Sequence, residues 1–174
     1  MNNQTNYIED ALKVLIGLPL SLTRRNVDLR IFHFGMIRQV EMGSIGEIAL
    51  HISGEWLIEE EDGVFVSTSD LYSPLHNADE IELEQWDFDT FGNWQDELLK
   101  VIFPEHDSET GAYVRSHDPL VVEAVFVDEE GNVRITFNHS YALKLVRGTS
   151  DDEDWRLFEP GRGTSHFVVI GRGG

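Results

Sequence analysis

Residues 47–72, EIALHISGEWLIEEEDGVFVSTSDLY, carry the clearest local structural signal in the chain. Ile48, Leu50 and Ile52 alternate with Glu47, Ala49, His51 and Ser53, the period of two that marks a strand with one buried face. Gly54 interrupts the alternation and Trp56, Leu57 and Ile58 resume an extended run. The polar link Glu60-Glu61-Asp62-Gly63 then leads into Val64, Phe65 and Val66. A glycine free to take positive φ suits a tight turn, so three strands joined by such short links are expected to pair in sequence as an antiparallel meander.

Working outward, Leu120 to Val127 and Val133 to Asn138 flank Asp128-Glu129-Glu130-Gly131-Asn132, a second hairpin of β-branched runs around a glycine-bearing turn. Tyr141 to Val146, Trp155 to Phe158 and Ser165 to Ile170 continue as strands, and Val27 to Phe34 reads as the first. Asn6 and Glu9 fit a helix start, with Ile8, Ala11, Leu12, Leu15 and Ile16 on one apolar face and Gly17 and Pro19 ending it. Asn93 caps a second helix whose expected inner face is Trp94, Leu98, Val101 and Ile102. About nine strands against two helices predict an α+β fold with a mainly antiparallel sheet, in a single domain spanning residues 1–174. The expected core is Ile48, Leu50, Ile52, Trp56, Val122, Phe126, Ile135, Phe137 and Val168.

The run Leu50-His51-Ile52 with Trp56 beyond it, Asp70 after the next strand, and the late Trp155-Arg156-Leu157-Phe158 resemble a family of uncharacterised bacterial single-domain proteins of similar length. Leu57 stands where that pattern has an arginine after the tryptophan. The resemblance implies a bacterial protein of one domain and assigns no site residue.

Thirty-two acidic against 13 basic residues give a formal charge of −19, which argues against binding a nucleic-acid backbone or an anionic membrane surface. The absence of cysteine excludes disulfides, thiolate catalysis and cysteine-ligated zinc. The first twenty residues lack the basic start of a signal peptide, and no segment is a membrane span, so a cytoplasmic location is expected.

Chemistry-bearing residues are scattered. His51 should lie opposite the buried face of its strand, with no partner at fixed spacing, and a structural or surface role is the ordinary reading. Arg24, Arg25 and Arg30 form a basic cluster that either marks an anion site or, more ordinarily, pairs with local carboxylates. Asp87-Phe88-Asp89-Thr90-Phe91-Gly92 begins like a calcium loop, but Phe91 and Leu98 stand where oxygen ligands are required. His106, Asp107, His117 and Asp118 read as solvated loop residues, and no cofactor or metal is expected.

Two functional readings follow. In the first, the chain is a protein-binding or inhibitory module, of the kind that neutralises a toxin, and engages a basic protein partner. Its surface would be the acidic aromatic segment carrying Glu82, Glu84, Trp86, Asp87, Phe88, Asp89 and Trp94, aromatic anchors within a charged rim. In the second, it is an enzyme or small-ligand binder whose site is assembled from distant residues: His51, Asp70, His139, Arg156 and His166. A pocket gathering two or more of these with perturbed pKa values would favour the second.

Overall fold

The structure is a computed structural model that describes residues 3–41, 43–75, 86–89 and 92–173. Helix α1 (Asn3–Leu12) runs into a 3₁₀ turn at Lys13–Leu15 and buries Ile8, Leu12 and Leu15. A hairpin follows, β1 (Pro19–Asn26) and β2 (Leu29–Phe34), then a short one, β3 (Arg38–Val40) and β4 (Gly43–Ile45). The central stretch forms β5 (Ile48–Ile52), β6 (Glu55–Glu60) and β7 (Gly63–Ser67). Helix α2 (Trp94–Ile102) precedes β8 (Glu105–Asp107), β9 (Ala112–Val114), β10 (Leu120–Val127), β11 (Val133–Phe137), β12 (Ala142–Val146), β13 (Glu153–Phe158) and β14 (Phe167–Ile170). No helix among the described residues is long and apolar enough to cross a membrane.

The class is α+β-like with an antiparallel sheet, but there are fourteen strands among the described residues where periodicity counts about nine. β1, the β3–β4 pair and the β8–β9 pair make up the difference. Val27 is no strand residue. It occupies the β1–β2 turn at φ 57, a left-handed conformation that a β-branched side chain resists.

Ten strands lie side by side in the order β14-β13-β5-β2-β1-β10-β11-β12-β6-β7, with β9 also on β1 and β8 on β9. The expected meander is half right. β6 pairs with β7, but β5 pairs with β2 and β13, while β6 pairs with β12. The physical reason lies at Ser53-Gly54, whose two amides both donate to the Asp154 carbonyl at 2.9 and 2.8 Å, carrying the chain from one half of the sheet to the other. A Cβ at Gly54 would stand 3.2 Å from Asp154 Cα, so the close crossing favours glycine.

The inner faces of the two halves meet in one apolar cluster, where Phe32 of β2 packs edge-on to Trp56 of β6 at 5.4 Å and Phe103, after α2, stacks on Phe32 at 6.4 Å. Burying side chains of this size stabilises by about 1.5–3 kcal/mol each. Two expected core residues are outside it: Phe126 is 57% exposed and Val168 40%. A register shift between Val122 and Ala124 turns Val125 inward and Phe126 outward, while β14 alternates without a break and sets Val169 inward and Val168 out.

Helix α2 is capped as expected, with the Asp96 amide donating to Asn93 Oδ1 at 2.8 Å, yet its buried face is Gln95, Leu99 and Ile102, and Val101 is exposed. The rotation follows from Arg30. Its position in β2 opposite Ile52 points it inward, where only 1% of it is exposed. Gln95 Oε1 accepts from Arg30 Nη2 at 2.6 Å, Asp96 Oδ1 accepts from the same nitrogen at 2.7 Å, and Gln95 Nε2 donates to the Ser67 carbonyl at 3.0 Å.

Candidate functional site

The outer face of the β14-to-β1 half gathers most of the chain's unusual chemistry. Strand register sets Arg24 of β1 opposite Ile31 of β2, Ile31 opposite His51 of β5, and His51 opposite Arg156 of β13, so the three polar side chains share one face. One residue pair along, His33 of β2 lies opposite Ala49, and Ala49 opposite Phe158. His166, just before β14, stacks on Phe158 with ring centroids 4.0 Å apart and planes 12° apart, while His51 meets the same ring edge-on at 4.7 Å. Four of these groups, His51, Arg156, Phe158 and His166, line an open cleft of about 330 Å³ together with Leu29, Ser53 and Glu153, and Arg24 and His33 lie outside its lining.

Three of the five scattered residues thus converge: His51, Arg156 and His166. Arg156 is held by Glu153, donating from Nε to Oε1 at 2.6 Å, and its Nη1 lies 3.2 Å from His166 Nδ1. An arginine can only donate, so His166 Nδ1 accepts and Nε2 carries the proton. Hydrogen bonding to Arg156 lowers the Glu153 carboxyl, and the same bond raises the guanidinium. Burial, followed by repulsion from Arg24, Arg156 and His166, pushes the His51 imidazole down to about 4, so it is neutral near pH 7. Its ring nitrogens have no hydrogen-bond partner among the described residues.

The other two lie elsewhere for local reasons. Asp70 closes a capping box, accepting from the Ser67 amide at 2.7 Å at the start of a 3₁₀ turn. His139 adopts φ 60 after β11, and its Nε2 lies 3.0 Å from Asp118 Oδ1.

Two residues beside the cleft were given no joint role by periodicity. His33 is 1% exposed and its Nδ1 accepts from the Gly46 amide at 2.9 Å. Burial first, then Arg24 and His51, push it down to about 3. Arg24 Nη2 lies 3.3 Å from His33 Nε2, and burial lowers this guanidinium. A sequence signal for β1 existed in the alternation of Leu20 and Leu22 with Ser21 and Thr23.

Of the acidic aromatic segment, Glu82 and Glu84 lie outside the described residues. Trp86 is half-buried, and Asp87 is exposed and accepts from the Asp89 amide at 3.0 Å. Phe88 packs edge-on to Tyr72 at 5.9 Å beneath the Arg25 guanidinium at 5.0 Å, and Asp89 accepts from Arg25 Nη1 at 2.8 Å. Arg25 also reaches Asp96 at 3.0 Å, and Trp94 opens α2, half-buried. The basic cluster therefore divides: Arg25 and Arg30 pair with carboxylates, and Arg24 is within ion-pair reach of none among the described residues. No group of three or more His, Asp or Glu among the described residues is placed to hold a metal.

In comparison with known proteins, no family model, curated protein or solved structure matches the chain. The likeness drawn from Leu50–Trp56 and Trp155–Phe158 is one of short segments.

Proposed function

We propose that the chain is a small-ligand-binding protein whose site is the outer cleft between β5, β13 and the approach to β14. The observation that supports this reading is the meeting of His51, Arg156 and His166 around the Phe158 ring, with His51 neutral, partly desolvated and unengaged by any described hydrogen-bond partner. A cleft with an apolar floor and a few convergent polar groups is the ordinary form of such a site. A ligand ring has Phe158 and His166 to stack beside, and a ligand donor or acceptor has His51.

The test is a panel of neutral, cationic and anionic fragments titrated into protein carrying ¹³C-labelled histidine. We expect saturable shifts at His51 and His166, with His106 and His117, on the β8–β9 side, unmoved. Fragments that leave both cleft histidines unmoved, or that move all the histidines together, would refute the reading.

A basic protein partner is the second reading, supported by the net charge of −19. Its mark would be a salt-dependent association rate that falls when Glu82, Glu84, Asp87 and Asp89 are neutralised together.

A further inference from the structure

The contact between Arg24 and His33 cannot be a hydrogen bond. Because the Gly46 amide donates to His33 Nδ1, that nitrogen is unprotonated, and the neutral ring must carry its proton on Nε2. Nε2 faces Arg24 Nη2 at 3.3 Å, and a guanidinium has no acceptor. Two donors therefore lie 3.3 Å apart with no acceptor between them, and a single oxygen set to one side of the pair, about 2.8–3.0 Å from each nitrogen, would accept from both. His33 is almost wholly buried, so an unmet donor there is costly.

Arg24 adds a second, independent sign. It is partly buried, yet none of the described carboxylates is within ion-pair reach, in a chain with 32 acidic residues against 13 basic. Its cross-strand neighbour on this face is Ile31, with His33 diagonal to it and His51 and Arg156 farther along the same row, and the described carboxylate beside Arg156, Glu153, is already bound to it. The face is thus a small basic field on an acidic protein.

We infer that the ligand of this sheet face is a small oxyanion, a carboxylate, sulfate or phosphate group, with one oxygen accepting from Arg24 Nη2 and His33 Nε2 beside the cleft and its body extending into the cleft toward His51 and Phe158. This inference rests on the proposed ligand-binding role of the cleft and narrows it to a chemical class. A negative charge at this position offsets the repulsion from Arg24, so anion binding also draws a proton onto His51. The groups that face His51 and set this response are Arg24 on β1, His33 on β2, Glu153 and Arg156 on β13, and His166 before β14.

The experiment compares sodium benzoate, the neutral isostere benzamide and sodium sulfate at constant ionic strength, read through the ¹³C-labelled rings of His33, His51 and His166 in the whole chain. We expect benzoate and sulfate to bind saturably and to raise the His51 titration midpoint, with benzamide at least tenfold weaker than benzoate. Arg24→Gln, on the outer face and away from the core, should weaken benzoate tenfold or more while its amide spectrum keeps the native dispersion. Arg24→Lys, which preserves the charge, should recover part of the loss and covers the case of a glutamine variant that does not fold. Benzamide binding as well as benzoate, with Arg24→Gln indifferent, would overturn the oxyanion and leave the ligand site standing. Failure of all three probes to move the cleft histidines would overturn the oxyanion inference and, joined to a silent fragment panel, the binding site itself.

Discussion

His33 makes the stability of this fold depend on pH in a window where few other groups act. The ring is 1% exposed, and the folded state holds its pKa down to about 3. The unfolded chain titrates the same ring near its ordinary value of about 6.5. Above that pH neither state binds the proton. Below it the unfolded chain takes up a proton that the fold refuses, so stability is fully present above pH 6.5, falls as pH falls, and completes its loss near pH 3. Comparing proton uptake by the two states, His33 alone removes about 2 kcal/mol between pH 8 and pH 5, and about 5 kcal/mol once pH is well below 3. His51, pushed down to about 4, acts in the same direction, screened by its partial exposure. The lowered carboxyls of Glu59, Asp96 and Glu153 contribute only below about pH 5, where their unfolded forms begin to protonate.

Urea unfolding followed by tryptophan fluorescence, at steps from pH 8 to pH 5, measures this directly. The informative variant is His33→Asn, whose amide oxygen can still accept from the Gly46 N–H but which does not titrate. It is expected to be less stable at pH 8 for lost packing, and to lose about 2 kcal/mol less than the wild type on descending to pH 5. Parallel stability curves for the two proteins across that window would refute the account of His33 as a neutral ring locked by burial.

Four further outcomes are expected. Asp96→Ala strands the buried Arg30 guanidinium and should cost about 3–5 kcal/mol in urea unfolding, whereas loss of the exposed Lys100–Glu97 pair should cost less than about 1 kcal/mol. Leu50→Ala and Ile135→Ala, both at 0% exposure, should each cost about 2–5 kcal/mol by the same measurement. Phe126→Ser should change stability by less than about 1 kcal/mol, since its ring faces solvent on the far side of a bulge. Val27→Gly should raise the thermal midpoint, because relief of the left-handed valine, about 1–2 kcal/mol, exceeds the added freedom of the unfolded glycine, about 0.5–1 kcal/mol.

Legibility of the fold in the sequence follows what local patterns can encode. The alternation at Ile48, Leu50 and Ile52, the turn at Asp128–Asn132 and the cap at Asn93 are local, and each appears where periodicity sets it. β1 was hidden because Gly17 and Pro19 read as a helix stop and Arg24 and Arg25 as a charge cluster. Phe126 is on the face opposite to the expected one because a bulge in β10 inverts alternation and no residue type announces it, whereas β14 alternates regularly with Val169 inward and Val168 outward. Consecutive pairing of β5 and β6 failed because the Asp154 carbonyl, a hundred residues away, captures the Ser53 and Gly54 amides.

The cleft shows the same division at the level of chemistry. His51, Arg156 and His166 were visible as groups with something to offer, but their meeting depends on β13 pairing with β5 in one register, and a slip of one residue would turn Arg156 into the core. Arg24 and His33 carry the sharper lesson. Composition suggests that every arginine in a chain of −19 has a carboxylate to spare, and Arg25 and Arg30 do. Among the described residues Arg24 departs from that rule because β1 turns it to the face opposite Arg25, away from α2 and Asp96 and toward a histidine whose one acceptor is already spent on Gly46. Strand alternation thus separates neighbouring arginines into different roles, one fastening a helix and the other set beside a buried histidine and paired with no described carboxylate.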